Sequence, residues 1–168
     1  MLKMTKPLLA ILLHLTFRVK KMKKLTVAVL ASFALDASAF TLHTSKSCSG
    51  TYSYYINEHA LYPDVSVKVS EHALYPDVTI KLVGSKYGAD IVVTDSQYGA
   101  DMSVCKASSG YGAKTIKVSK YTLYPDITVK VSKYALYPDY KMYFDSSVFS
   151  LEEAAALAPA IWHLNKKE

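Results

Sequence analysis

The chain has 168 residues, 51% of them apolar, with 20 Lys and Arg against 14 Asp and Glu and a formal net charge of +6. That excess is confined to the N-terminal part. Residues 1–39 hold seven of the Lys and Arg and one of the acids, so residues 40–168 carry 13 of each and are formally neutral. A neutral region with interspersed signs offers no electrostatic footprint for DNA or RNA, and about 129 residues suffice for one core and one domain.

The first 39 residues read as a leader. Met22-Lys23-Lys24 is a positive n-region, Leu25 to Leu35 an apolar h-region, and Ala37-Ser38-Ala39 an A-x-A cleavage site before Phe40. This places the start of translation at Met22 and residues 1–21 upstream of it; the alternative is a long leader with a second apolar stretch, Pro7 to Phe17. Each stretch is about eleven residues long, against the roughly 20 that span a bilayer, so no membrane span is expected after cleavage. The expected location is periplasmic or secreted.

Residues 40–57 form a polar lead-in segment rich in Ser, Thr and Tyr. From 58 to 147 a short motif recurs about seven times, as S-x-[YH]-[AT]-L-Y-P-D or S-x-Y-G-A-D. Its anchor is the turn aspartate: Asp64, Asp77, Asp90, Asp101, Asp126 and Asp139, with Ala113 in the equivalent place of one further copy. After each anchor apolar and polar residues alternate. Val65, Val67, Val69; Val78, Ile80, Leu82; Ile127, Val129, Val131; and Tyr140, Met142, Phe144 should face a core, with Ser66, Lys68, Thr79, Lys81, Thr128 and Lys130 facing solvent. Pro and Gly make the turns, and Asp is suited to accept from backbone N–H groups one or two residues on.

The period of about 13 residues allows one strand and one turn per repeat, too short for a propeller blade or a helical hairpin. The expected fold is mainly β: a compact array of about seven short strands, arranged as a solenoid, meander or barrel, with a C-terminal helix. Each unit exposes its apolar face alone, so the repeats must fold together.

Ser85-Lys86-Tyr87-Gly88-Ala89-Asp90-Ile91-Val92-Val93, and Val131-Ser132-Lys133-Tyr134 through Tyr143-Phe144-Asp145-Ser146, resemble the repeats of the septoil-knot (7₁ knot) domain family of small bacterial β-rich proteins. The resemblance covers roughly Ile56 to Ser147, and its specificity lies in the number of copies. It implies a deeply knotted chain and carries over no catalytic residues. The departures are the two-residue-longer Leu-Tyr-Pro-Asp turns and the copy without its Asp.

Residues 150–168 should form a helix. Ser150 and Glu153 make a capping box, Glu152 and Glu153 favour the N-terminal dipole, and Lys166 and Lys167 the C-terminal one. Pro159 should kink or divide it near Ala158. Ala154, Ala155, Ala156, Ile161, Trp162 and Leu164 supply a surface for docking on the β domain; a partner-binding tail is the other reading.

Cys48 lies in the lead-in segment and Cys105 on the polar side of its strand, since Met102 and Val104 take the inward parity; in an exported protein they are expected to pair. His59 and His72 occupy the repeat slot held elsewhere by Tyr87, Tyr98, Tyr111, Tyr121 and Tyr134. They should merely replace a turn-flanking aromatic; if the first two repeats paired in register, the two imidazoles, with Glu58 or Glu71, would be a candidate zinc or copper site. His43 and His163 have no visible partner. The turn aspartates lack the Gly-rich nonapeptide of calcium-binding repeats, and no nucleophile-elbow, zincin, P-loop or dinucleotide motif occurs, so no catalytic residue, cofactor or metal is assigned. The repeated tyrosines suggest structural packing first, and a carbohydrate or peptide surface second. The expected function is therefore an exported, non-enzymatic domain of structural or binding type; the sequence names no partner, and an envelope protein or glycan is the candidate class. The alternatives are a metal-binding protein using His59 and His72, or a hydrolase.

Overall fold

Each alternating segment forms a strand in the computed structural model, which describes residues 39–166. Among the described residues there are nine strands, not seven: β1 (Phe40–Ser45), β2 (Tyr52–Ile56), β3 (Val65–Ser70), β4 (Val78–Val83), β5 (Ile91–Thr94), β6 (Met102–Lys106), β7 (Lys114–Ser119), β8 (Ile127–Ser132) and β9 (Tyr140–Asp145), followed by α1 (Leu151–Asn165). The two additional strands are the lead-in segment, where Phe40 and Leu42, then Tyr54 and Ile56, continue the inward pattern without the repeat motif. The expected leader lies, except for Ala39, outside the described residues.

The strands close into a barrel in the order β1-β5-β9-β4-β8-β3-β7-β2-β6, and every neighbouring pair is parallel. No strand lies beside its sequence neighbour. Each step along the chain moves two places round the nine-place ring, so β1 to β5 make one lap and β6 to β9 fill the gaps on a second. A meander, which is antiparallel, is thereby excluded, as is a simple open solenoid.

Parallel strands ordinarily need a crossover of a dozen or more residues. Here six to eight suffice, and the register shows why. Ser45 at the end of β1 is paired with Cys105, and Tyr52 at the start of β2 with Val104, on the two flanks of β6. Likewise Ser70 is paired with Lys130 and Val78 with Val129, on the two flanks of β8. A connection therefore only steps across one strand, about 10 Å at ordinary strand spacing.

The inward residues match the alternation. Val65, Val67, Ile80, Ile91, Val93, Val104, Ile116, Val129 and Met142 are fully buried, and Val78, Leu82, Tyr140 and Phe144 pack against them. α1 fills the lumen. Ala154 to Ile161 are eight successive buried residues, and a helix buried all round must be surrounded. The predicted docking is thus enclosure, which excludes a free partner-binding tail. The small side chains of Ala154, Ala155, Ala156, Ala158 and Ala160 let the helix fit inside the ring. The capping box at Ser150 and Glu153 is present, and Glu153 and Glu152 also pair with Lys106 and Lys120 on the rim, each at 2.6 Å. Pro159 does not divide the helix, which runs unbroken to Asn165 within the wall. At the other mouth Trp162 packs on Phe40 and Tyr140, with centroids 6.0 and 5.0 Å away. Among the described residues no helix is long and apolar enough to cross a membrane.

Candidate binding surface

The turn aspartates do not cap their own turns. Asp64 accepts from the Thr115 N–H, Asp77 from Thr128, Asp90 from Lys141, Asp101 from Thr41, Asp126 from Ser66 and Asp139 from Thr79, at 2.6–2.8 Å. All these donors lie 51 or 60 residues away, and all six aspartates donate their own N–H back to the carbonyl of the same residue at 2.8–2.9 Å. The carboxylate stitches each connection to the strand it has just crossed. The short-range role falls instead to serine hydroxyls where the chain leaves a strand: the side chains of Ser70, Ser119 and Ser132 at strand ends, and of Ser85 two residues beyond β4, accept from the N–H two residues on.

One connection is also held covalently. Residues 46–51 cross β6, and Cys48 is disulfide-bonded to Cys105, as expected. Cys105 has the outward parity and is fully buried because the crossing covers it. The lumen is occupied by α1, so this connection runs outside the wall.

That arrangement corrects the expected packing role of the repeat tyrosines. A connection crossing outside the wall has nothing above it, and its outward side chains meet solvent. Tyr62, Tyr75, Tyr124 and Tyr137 are each at least 93% exposed, and Leu61, Leu74, Leu123 and Leu136 at least 85%. Tyr87, Tyr98, Tyr111, Tyr121 and Tyr134 are exposed too.

The two-lap order then sorts the corners. The four Leu-Tyr-Pro-Asp connections, residues 133–139, 71–77, 120–126 and 57–64, cross β4, β8, β3 and β7. Those are four adjacent strands of the ring. Beneath them, at one equivalent outward position, stand Lys81, Lys130, Lys68 and Lys117, none with an ion pair among the described residues. The corners without Leu-Tyr-Pro-Asp, and the disulfide, occupy the other side. Between neighbouring corners lies a cleft of about 400 Å³, walled by Tyr134, Leu136, Tyr137 and Pro76 and floored by Thr79, Lys130 and Ser132.

His59 and His72 are exposed, but the condition for a shared metal fails. The first repeats do not pair: the connections bearing His59 and His72 cross β7 and β8, and β3, crossed by the connection bearing Tyr121, lies between. No group of three or more His, Cys, Asp or Glu able to hold a metal occurs among the described residues. His43 lies on the outward parity of β1, and His163 on α1.

A separate polar cluster marks where the chain leaves the wall for the lumen. The Thr44 hydroxyl donates to Asp95 and to the Thr94 carbonyl at 3.2 Å and shares a hydrogen bond with Ser146 at 2.8 Å, while the Ser147 N–H donates to Asp95 at 2.9 Å. Hydrogen bonds from Ser147 and then Thr44 hold the Asp95 carboxyl below the usual carboxylate range.

Compared with family models, curated proteins and solved structures, the chain matches none.

Proposed function

We propose that this is an exported, non-enzymatic binding domain whose ligand docks on the Leu-Tyr-Pro-Asp side of the barrel. The observation that carries the reading is the side-by-side exposure of four Leu-Tyr corners on adjacent crossings. A monomer rarely leaves contiguous apolar groups in water without a use for them. Hydroxyl-radical footprinting of the protein in intact cells and after purification tests this. Tyr62, Tyr75, Tyr124 and Tyr137 should be protected in cells only, and Tyr98 and Tyr111 labelled equally in both. Equal labelling of both sets in both states overturns the reading.

Export is supported by the anatomy of Met22 to Ala39, by the disulfide, and by the start of the first strand at Phe40, the residue after the cleavage site. N-terminal sequencing of exported protein should return Phe40. The septoil-type knot belongs to the same proposal. Its support is the interleaving of two laps with an outside crossing at each step. Refolding much slower than proline isomerisation or disulfide formation allows is the expected signature, and fast two-state refolding would count against it.

A further inference from the structure

We infer that the ligand of the corner array is a linear, uncharged polysaccharide; this rests on the binding reading above and gives it a chemical class. The surface is periodic: one Leu-Tyr corner, one lysine and one strand hydroxyl recur on each of four adjacent strands. Equivalent subsites in a row match a ligand whose own unit repeats, and they add by multivalency along one polymer.

Three other repetitive or extended partners fit less well. A polyanion would meet a balanced surface, because Lys68, Lys81, Lys117 and Lys130 are matched by Asp64, Asp77, Asp126 and Asp139. An extended peptide adding as a strand needs a free sheet edge, and a closed barrel has none. A bilayer is flat, whereas the outermost of the four corners are three of nine places apart, a third of the circumference. A plane tangent to the barrel reaches one or two corners; a polymer wound round it reaches all four.

The cleft between adjacent corners has the chemistry a sugar ring needs. Tyr134 and Tyr137 offer flat apolar faces, and the Thr79 and Ser132 hydroxyls and Lys130 ammonium beneath them offer hydrogen bonds to ring hydroxyls.

Affinity electrophoresis of the purified exported protein through gels containing dextran, glucomannan, hydroxyethylcellulose or heparin tests the class. At least one neutral polymer should retard it more than heparin does. The Tyr75→Ala/Tyr124→Ala protein should lose at least tenfold in that affinity, and the Tyr98→Ala/Tyr111→Ala protein should keep it. Both retain the parent melting temperature, since all four rings are exposed. A tetrasaccharide of the retarding polymer should compete far more weakly than the polymer, mole for mole. Retardation by no neutral polymer, preference for heparin, or equal losses in the two variants would overturn the polysaccharide. Corner protection in cells alongside failure in the gels would leave the binding reading intact and remove only its ligand class.

Discussion

The two sides of the barrel are built from the same repeat but secured differently. Over β4, β8, β3 and β7 every connection is the long Leu-Tyr-Pro-Asp form, and each ends in an aspartate bonded to the crossed strand. Over β6, β1, β2 and β9 the connections lack the Leu-Tyr-Pro-Asp motif. One carries a disulfide, two end in Asp101 and Asp90, and one ends in Ala113 with no carboxylate. Side-chain variety is spent on fastening the second side and on display on the first. The repeats that share a side are not consecutive; only a two-lap path brings copies from both halves of the sequence together.

The core should erase this difference. Val129 and Val104 lie on opposite sides, both fully buried around one helix. Val129→Lys and Val104→Lys should each abolish cooperative folding, because either buries an unpaired charge. Circular dichroism during thermal melting checks it, and a folded remnant in either variant would mean the two sides have separate cores.

The next largest contrast is the covalent fastening. Replacing Cys48 and Cys105 by Ser should cost up to about 4 kcal/mol in urea unfolding, by the chain-entropy cost of closing a loop with a sequence separation of 57. A negligible cost would show that the hydrogen bonds of the β6 crossing already hold it.

Aspartate stitching can be removed on one side and added on the other. Asp77→Ala should lose about 1 kcal/mol, the net worth of one exposed charge-assisted hydrogen bond to the Thr128 N–H. Ala113→Asp should gain about 0.5 kcal/mol, since position 113 stands opposite Ser53 as Asp126 stands opposite Ser66. Urea midpoints at constant slope would measure both.

Asp95 adds a pH dependence at the lumen entrance. Its folded-state pKa is depressed, so its contribution is complete above the unfolded carboxylate value of about 4 and is lost as pH falls below that. Asp95→Asn should therefore be less stable at neutral pH and lose less on acidification from pH 5 to 2. The smallest effects belong to the displayed rings. Tyr62→Ala or Tyr137→Ala should change stability by less than about 0.5 kcal/mol.

Much of the wall was legible because burial has a period of two. Val65, Val67, Ile80, Val129 and Met142 could be assigned inward, and Cys105 outward, from alternation alone. The capping box and the disulfide followed from equally local or chemical rules. β1 and β2 escaped because their apolar residues are few and lie among Thr, His and Tyr without the motif. Strand order was invisible for a different reason: near-identical repeats have near-identical edges, and nothing local distinguishes a partner one repeat away from one four or five away. For the same reason an aspartate reads as serving its own turn, and a repeat tyrosine as structural packing, a role that the outside crossings leave unfilled. The unbroken apolar run of Ala154 to Ala160 was a readable sign of a surrounded helix.

The uniform long reach of the pairing has a consequence for synthesis. Every ladder joins residues 51 to 60 apart, so Phe40 has no partner until Ile91 has left the ribosome. The helix that fills the lumen is made after all nine strands. A nascent chain of this kind gains no stable intermediate from its first few strands. Its strands have no lasting pairs for most of their elongation, and the core closes only when the helix segment is in hand.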